Sequence, residues 1–240
     1  MSSNSFTKEN LDTYLKELAK EFRKLNGKSM PAEIVLVGGA AVLTNYGFRD
    51  MTTDIDAVIH AASSMKDAIN HVGDKFALPN GWLNANFMHT TSYSPKLDEV
   101  SVHYKDFYGV LSVRVISSEY LIAMKLRAGR KYKNDLSDVI GILAEHEKKN
   151  FPITIEKINA AVEKLYGGWD DFPEDSKPFI EDAFKNGDFE NVYKSVKNEE
   201  IESKDILVGF EKDYPKVAKE SNVNDILKTL KTKLHQTHKD

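Results

Sequence analysis

The sequence predicts an α+β fold: a small mixed sheet flanked by helices, followed by a helical C-terminal region. Three observations carry that expectation. Short β-branched apolar runs, the mark of buried strands, are confined to the first half of the chain. Apolar residues at 3,4 spacing, the mark of one buried helical face, recur between those runs. From residue 151 onward only the helical pattern is found. The change of pattern places a boundary near 147–152, giving a first domain over 1–148 and a helical region over 149–240.

Leu11, Tyr14, Leu15, Leu18, Phe22 and Leu25 share one helical face, so residues 7–25 form an amphipathic helix that Asn26-Gly27 ends. Glu33 to Val37 is a buried strand. Gly38-Gly39 follows at once, and a short helix begins at Ala40 and is closed by Gly47. A second strand covers Asp54 to Ile59, and a helix covers 64–76. Residues 79–96 form a long irregular connection. Residues 99–104 and 110–116 pair as a hairpin around Tyr108-Gly109. From Ser117 the pattern is helical, and Gly129 with the polar run to Asn134 divides it into two helices. The C-terminal region breaks near Gly167-Gly168, Pro173, Gly187 and Pro215.

Composition narrows the function. The net charge is −4, so any contact with nucleic acid is local rather than a property of the whole surface. There is no cysteine, which excludes disulfides and thiolate zinc sites. The polar N-terminus lacks an apolar signal core, and no run of about 18 apolar residues exists. These features fit a cytoplasmic protein with no membrane partner.

Asp54 and Asp56 are two apart on a strand, so their carboxylates project from the same face. Side by side they repel unless a cation lies between them. Mg²⁺ is commonly held by one or two carboxylates together with substrate phosphates. The Gly38-Gly39 turn supplies a backbone that phosphate can approach closely, at the start of a helix whose N–H groups favour anions. Alone, such a turn reads equally as tight packing, and a D-x-D is more often a solvated edge. In this order, with fifteen residues from Gly39 to Asp54, the two together are specific.

Other patterns are weaker. Asp135 precedes a helix and reads first as its N-cap, with Asp138 in the first turn. Lys125 on an amphipathic helix is ordinarily solvated. Arg127, Arg130, Lys131 and Lys133 form a basic cluster whose default is a solvated loop and whose alternative is a phosphate or RNA contact. His60 and His103 lack metal-ligand spacing. Neither a nucleophile elbow nor a P-loop motif occurs.

The stretch VLVGGAAVLTNYGFRDMTTDIDAVI resembles the nucleotidyltransferase superfamily signature of strand, Gly-Gly and D-x-D. Its Thr52-Thr53-Asp54-Ile55-Asp56 string is similar to the AbiEii-like and related uncharacterised branches. So is the later stretch SSEYLIAMKLRAGRKYKNDLSDVIGIL. The likeness covers roughly 33–146. It implies a nucleotidyltransferase-like sheet in a catalytic domain over 1–148, with Mg²⁺ on Asp54 and Asp56 and an NTP as substrate. Gly38 and Gly39 would approach the triphosphate, Lys125 would neutralise phosphate charge, and Arg130 and Asp135 would line the same cleft. The resemblance also implies an acceptor hydroxyl, in some relatives on transfer RNA or another RNA. For toxins of abortive-infection and toxin–antitoxin systems it implies an antitoxin protein as partner. One departure stands out. The strand over 110–116 carries Arg114 where many members have a third acid, leaving Asp135, Asp98, Glu99 or Asp106 to replace it. Without one, the alternative is a catalytically silent module that binds nucleotide or a partner.

Overall fold

A computed structural model describes residues 5–219 and 222–237. The chain forms two compact units that alternate along the sequence. The first contains Met1–Met124 and Ile153–Asp171, the second Lys125–Pro152 and Phe172–Asp240.

The first unit holds the sheet. Its strands are β1 (Ala32–Leu36), β2 (Ile55–His60), β3 (Leu83–Asn84), β4 (Ser101–Phe107) and β5 (Leu111–Ile116), in the order β3-β2-β1-β5-β4. β1 runs parallel to β5 and antiparallel to β2, β2 is parallel to β3, and β4 is antiparallel to β5. This is the mixed sheet that the patterning predicts. The edge strand β3 lies inside the expected irregular connection, and a two-residue strand carries no periodicity to read.

Helix α1 (Lys8–Asn26) opens with a reciprocal cap: Asn10 Oδ1 accepts the Thr7 N–H at 2.8 Å and Thr7 Oγ1 accepts the Asn10 N–H at 3.4 Å. Its Leu11, Leu15, Leu18 and Phe22 are fully buried, each burial stabilising by about 1.5–3 kcal/mol. Ahead of it, Phe6 is clamped to Thr52 by two backbone hydrogen bonds of 2.8 and 2.9 Å. The Phe6 ring stacks on Trp82, whose Nε1 donates to the Ile69 carbonyl at 3.0 Å. Helix α2 (Gly38–Asn45) follows β1 directly and ends at an extended Tyr46, one residue before the glycine expected to close it. Helix α3 (Met65–Phe76) occupies the predicted span.

The β4–β5 hairpin turns through Tyr108 and Gly109, closed by the Val110 N–H on the Phe107 carbonyl at 3.2 Å. Both central residues have positive φ, +52° and +65°, as a type I′ turn requires. Glycine accepts that conformation freely. For tyrosine it costs roughly 1 kcal/mol, although the residue is 45% exposed and gains little from packing.

Helix α4 (Ser118–Ala128) leads from the first unit into the second and stops at Gly129, φ +55°. A Cβ there would lie 2.8 Å from Pro173 Cγ. Helix α5 is Asp135–Lys148, and α6 (Ile155–Tyr166) belongs to the first unit. Helices α7 (Ser176–Asn186), α8 (Phe189–Asp213) and α9 (Val223–Thr237) complete the second. The breaks at Gly167, Gly187 and Pro215 fall where the sequence places them. Among the described residues, no helix is long and apolar enough to cross a membrane.

Candidate active site

Strand β1 delivers the chain into a left-handed Gly38, φ +55°, and α2 begins there. The Val37 N–H donates to the Asp56 carbonyl at 3.0 Å, which fixes the glycine turn against the start of β2. Asp56 Oδ2 then lies 3.6 Å from where a Gly38 Cβ would be. Asp56 is half-buried and Asp54, just before the strand, is exposed. Thr52 Oγ1 donates to the Asp54 carbonyl at 3.2 Å and lies 3.5 Å from its carboxylate. The structure therefore brings Gly38, Gly39, Asp54 and Asp56 together in one turn-and-strand corner.

Arg49, which the sequence reading passed over, and Thr52, quoted there only as part of the motif string, belong to this corner. A Cβ on Gly39 would meet Thr52 Oγ1 at 2.5 Å, Arg49 Nη2 at 3.0 Å and Arg49 Cζ at 3.3 Å. Arg49 thus lays its guanidinium over the glycine turn, while its Nε donates to the Met51 carbonyl at 3.0 Å. Its place between the Gly-Gly and D-x-D motifs was the available signal, because a cation there can meet a polyphosphate bidentately. The Thr52 backbone is held by Phe6, so an added methyl must turn the Thr52 hydroxyl away from the Asp54 carbonyl. Gly39→Ala is therefore expected to displace Thr52 and Arg49. The checks are NTP binding by titration calorimetry, expected to weaken at least tenfold, and a far-UV spectrum that stays native. Unchanged binding would show that the turn does not face phosphate.

Whether the corner suits a divalent cation can be judged from its donors. Asp56 lies beside Gly38 and Asp54 is reached from Gly39 through Thr52, two carboxylates near a glycine backbone and the oxygen type of donor that Mg²⁺ prefers. Among the described residues no cluster of three His, Asp or Glu could hold a metal. The other candidate acids are engaged elsewhere. Asp98 meets His60 at 2.9 Å, Asp106 meets His103 at 3.1 Å, and Glu99 faces Lys164 at 3.7 Å. Arg114 ties the hairpin through Ser101, donating to its hydroxyl at 2.7 Å and its carbonyl at 2.6 Å.

Lys125, Arg130 and Asp135 come together in the second unit as a buried ion cluster. Lys125 Nζ lies 2.9 Å from Asp135 Oδ1 and 2.9 Å from Asp138 Oδ2. Arg130 holds Asp135 through Nε at 2.7 Å and Nη2 at 3.3 Å. Asp135 and Asp138 are each 1% exposed. Burial alone would raise the Asp135 carboxyl, but Lys125 and Arg130 outweigh it and hold it down at about 2. Asp135 is the first helical residue of α5 rather than its cap, and Asn134 at the cap position makes no side-chain cap bond. The cap comes from α8: Glu200 Oε1 accepts the Leu136 N–H at 2.9 Å and the Ser137 N–H at 3.2 Å. Of the neighbouring basic residues, Lys131 pairs with Asp175, and Arg127 lies over the Phe172 ring at 5.1 Å.

The family model described as "Nucleotidyltransferase of unknown function (DUF6036)" matches residues 13–147. The chain belongs to this nucleotidyltransferase family. No curated protein and no solved structure matches it. The family match spans the Gly38–Asp56 corner and the Lys125–Asp138 cluster alike. In this DUF6036 chain the Gly-Gly turn meets Asp56 at the start of β2, while the α4–α5 cations and acids pair with one another.

Proposed function

We propose that this DUF6036 chain is a Mg²⁺-dependent nucleotidyltransferase that moves a nucleoside monophosphate from an NTP to an acceptor hydroxyl. The observation that supports this reading is Asp56 beside the Gly38 turn, with the Asp54 carboxylate 3.5 Å from Thr52 Oγ1 next to Gly39. Those two carboxylates would hold Mg²⁺, which when bound supplies charge neutralisation for phosphoryl chemistry. Gly38 and Gly39 present backbone to the phosphates, and Arg49 adds a fixed cation. The acceptor oxygen forms a bond to the α-phosphorus, the bond to pyrophosphate breaks, and the hydroxyl proton passes to water. The protein contributes mainly position and charge. Lys125, Arg130 and Asp135 serve as the frame that sets the α4–α5 junction. The likeness to AbiEii-like toxins favours RNA, transfer RNA included, as acceptor and an antitoxin as partner.

The test is transfer of label from each α-labelled NTP into RNA, protein or small-molecule fractions, with Mg²⁺ or Mn²⁺. Asp54→Asn and Asp56→Asn are each expected to lower transfer by roughly a hundredfold, the order seen when one charge-stabilising group is lost. Transfer undiminished in both variants would exclude this corner as the site. A silent nucleotide-binding module is the second reading, favoured by the lack of a third carboxylate among the described residues. It predicts that NTP with Mg²⁺ raises the melting temperature while no fraction takes up label.

A further inference from the structure

We propose that the face formed by α1 and the tip of the β4–β5 hairpin holds single-stranded RNA, with phosphates on the α1 cations and a base stacked on Tyr108. Two hollows of about 320 and 310 Å³ flank this tyrosine, which lines both. Their walls carry five cations, Lys16, Lys20, Arg23, Lys24 and Lys105, against two carboxylates, Asp12 and Asp106. With Glu17 and Glu21, which pair with Lys20 and Lys24, the local excess is one positive charge, in a chain of net charge −4.

The cations are arranged for a strand. Lys16, Lys20 and Lys24 repeat every fourth residue, so at 1.5 Å rise they stand about 6 Å apart along one face, comparable with neighbouring phosphates of an extended chain. Arg23 flanks the row, and neither Lys16 nor Arg23 pairs with a carboxylate among the described residues. Lys20, Lys24 and Lys105 meet Glu17, Glu21 and Asp12 at 3.7, 2.5 and 2.8 Å. All three lysine side chains are at least half exposed, and such pairs are weak enough to exchange for phosphate.

Tyr108 supplies the second, independent observation. It keeps an exposed aromatic ring in a left-handed turn position where asparagine or glycine would sit without strain. Strain held at an exposed side chain marks a position selected for something other than packing. Aromatic rings stack on any unpaired base, whereas a base inside a duplex offers them no free face. Cations along a groove with one stacking ring therefore match single-stranded RNA better than a duplex or an acidic protein.

The surface is separate from the Gly38–Asp56 corner. Leu111, next to the hairpin tip, pairs with Ala32 at the start of β1, while Gly38 follows the other end of that strand. Five strand residues span about 17 Å, so a bound RNA would need several nucleotides to reach from one to the other. As a grip on an acceptor this surface rests on the transfer reading; as an RNA-binding surface it does not.

Fluorescence anisotropy with a labelled single-stranded RNA of about twenty nucleotides tests it on the full chain. Binding is expected to weaken as salt rises. Tyr108→Asn should weaken it roughly five- to hundredfold without lowering the melting temperature, since asparagine tolerates the turn. Lys16→Glu with Arg23→Glu should weaken it and flatten its salt dependence. Asp54→Asn with Asp56→Asn should bind as the parent does. No binding by the parent, full affinity in either surface variant, or equal affinity for a duplex or polyglutamate overturns the proposal. Intact binding beside absent nucleotide transfer counts against the catalytic reading alone.

Discussion

Asp135→Ala is expected to destabilise the second unit by about 3 kcal/mol, the lower end of the cost of breaking a buried ion pair. The lower end applies because Lys125 keeps Asp138 and because the Arg130 side chain is 27% exposed. Urea titration followed by helical circular dichroism measures the loss. Both tryptophans, Trp82 and Trp169, lie in the first unit, so indole fluorescence reports that unit separately. The same carboxyl also predicts acid behaviour. Its folded value of about 2 is below the usual 3.8, so its stabilisation is complete above about pH 4 and lost as pH falls towards 2. The lost share is about 2 kcal/mol. Asp135→Asn should remove that acid step. A loss below about 1 kcal/mol in Asp135→Ala would mean that the cluster is solvated rather than buried.

Glu200→Gln is expected to stabilise the protein at alkaline pH. Burial pushes the Glu200 carboxyl up to about 7, outweighing the pull of Ser137 and of the Leu136 amide, with Asp138 adding to the rise. The folded protein therefore holds a proton between about pH 4.5 and 7 that the unfolded chain has released. Stability falls as pH rises through that window and is flat above it. The full drop is of order 3 kcal/mol. Glutamine keeps an oxygen for the Leu136 and Ser137 N–H groups and carries no charge to bury. Parent and variant should match near pH 4.5 and diverge to about 2–3 kcal/mol by pH 8. Glu200 Oε2 and Ser137 Oγ both lack hydrogen-bond partners among the described residues. A neutral carboxyl has an O–H to offer such a neighbour. Parallel stability curves across pH 4.5–8 would refute the assignment of Glu200 as a raised carboxyl.

What the sequence made legible was local. The Val35-Leu36-Val37 run with Gly38-Gly39, the Asp54–Asp56 alternation and the 3,4 spacing of α1 each declare an element by period, and each element is found within a residue or two. The glycine turn meets the D-x-D strand as expected, because β1 and β2 are antiparallel neighbours with Leu36 opposite Ala57. What stayed hidden depends on side chains meeting across the chain. Arg49 shows its role only once Gly39 is seen beneath its guanidinium. The α5 cap looked like Asp135 because acids favour that position, yet it is Glu200, 64 residues beyond Leu136. The buried partners of Lys125 were hidden too. An amphipathic helix predicts a solvated lysine, and only the arrival of α5 turns it inward.

The alternation of the two units has a consequence for the order in which the protein is made. The first unit is not complete until residue 171 has been synthesised, and by then 125–152 has long been available without its partners. Another 69 residues, from Phe172 to Asp240, must follow, which at ordinary translation speeds takes roughly 3–14 seconds. Throughout part of that interval α5 exists while Glu200 does not. Its first amides must be met by water, and its charged residues must wait for the burial that makes their pairing strong.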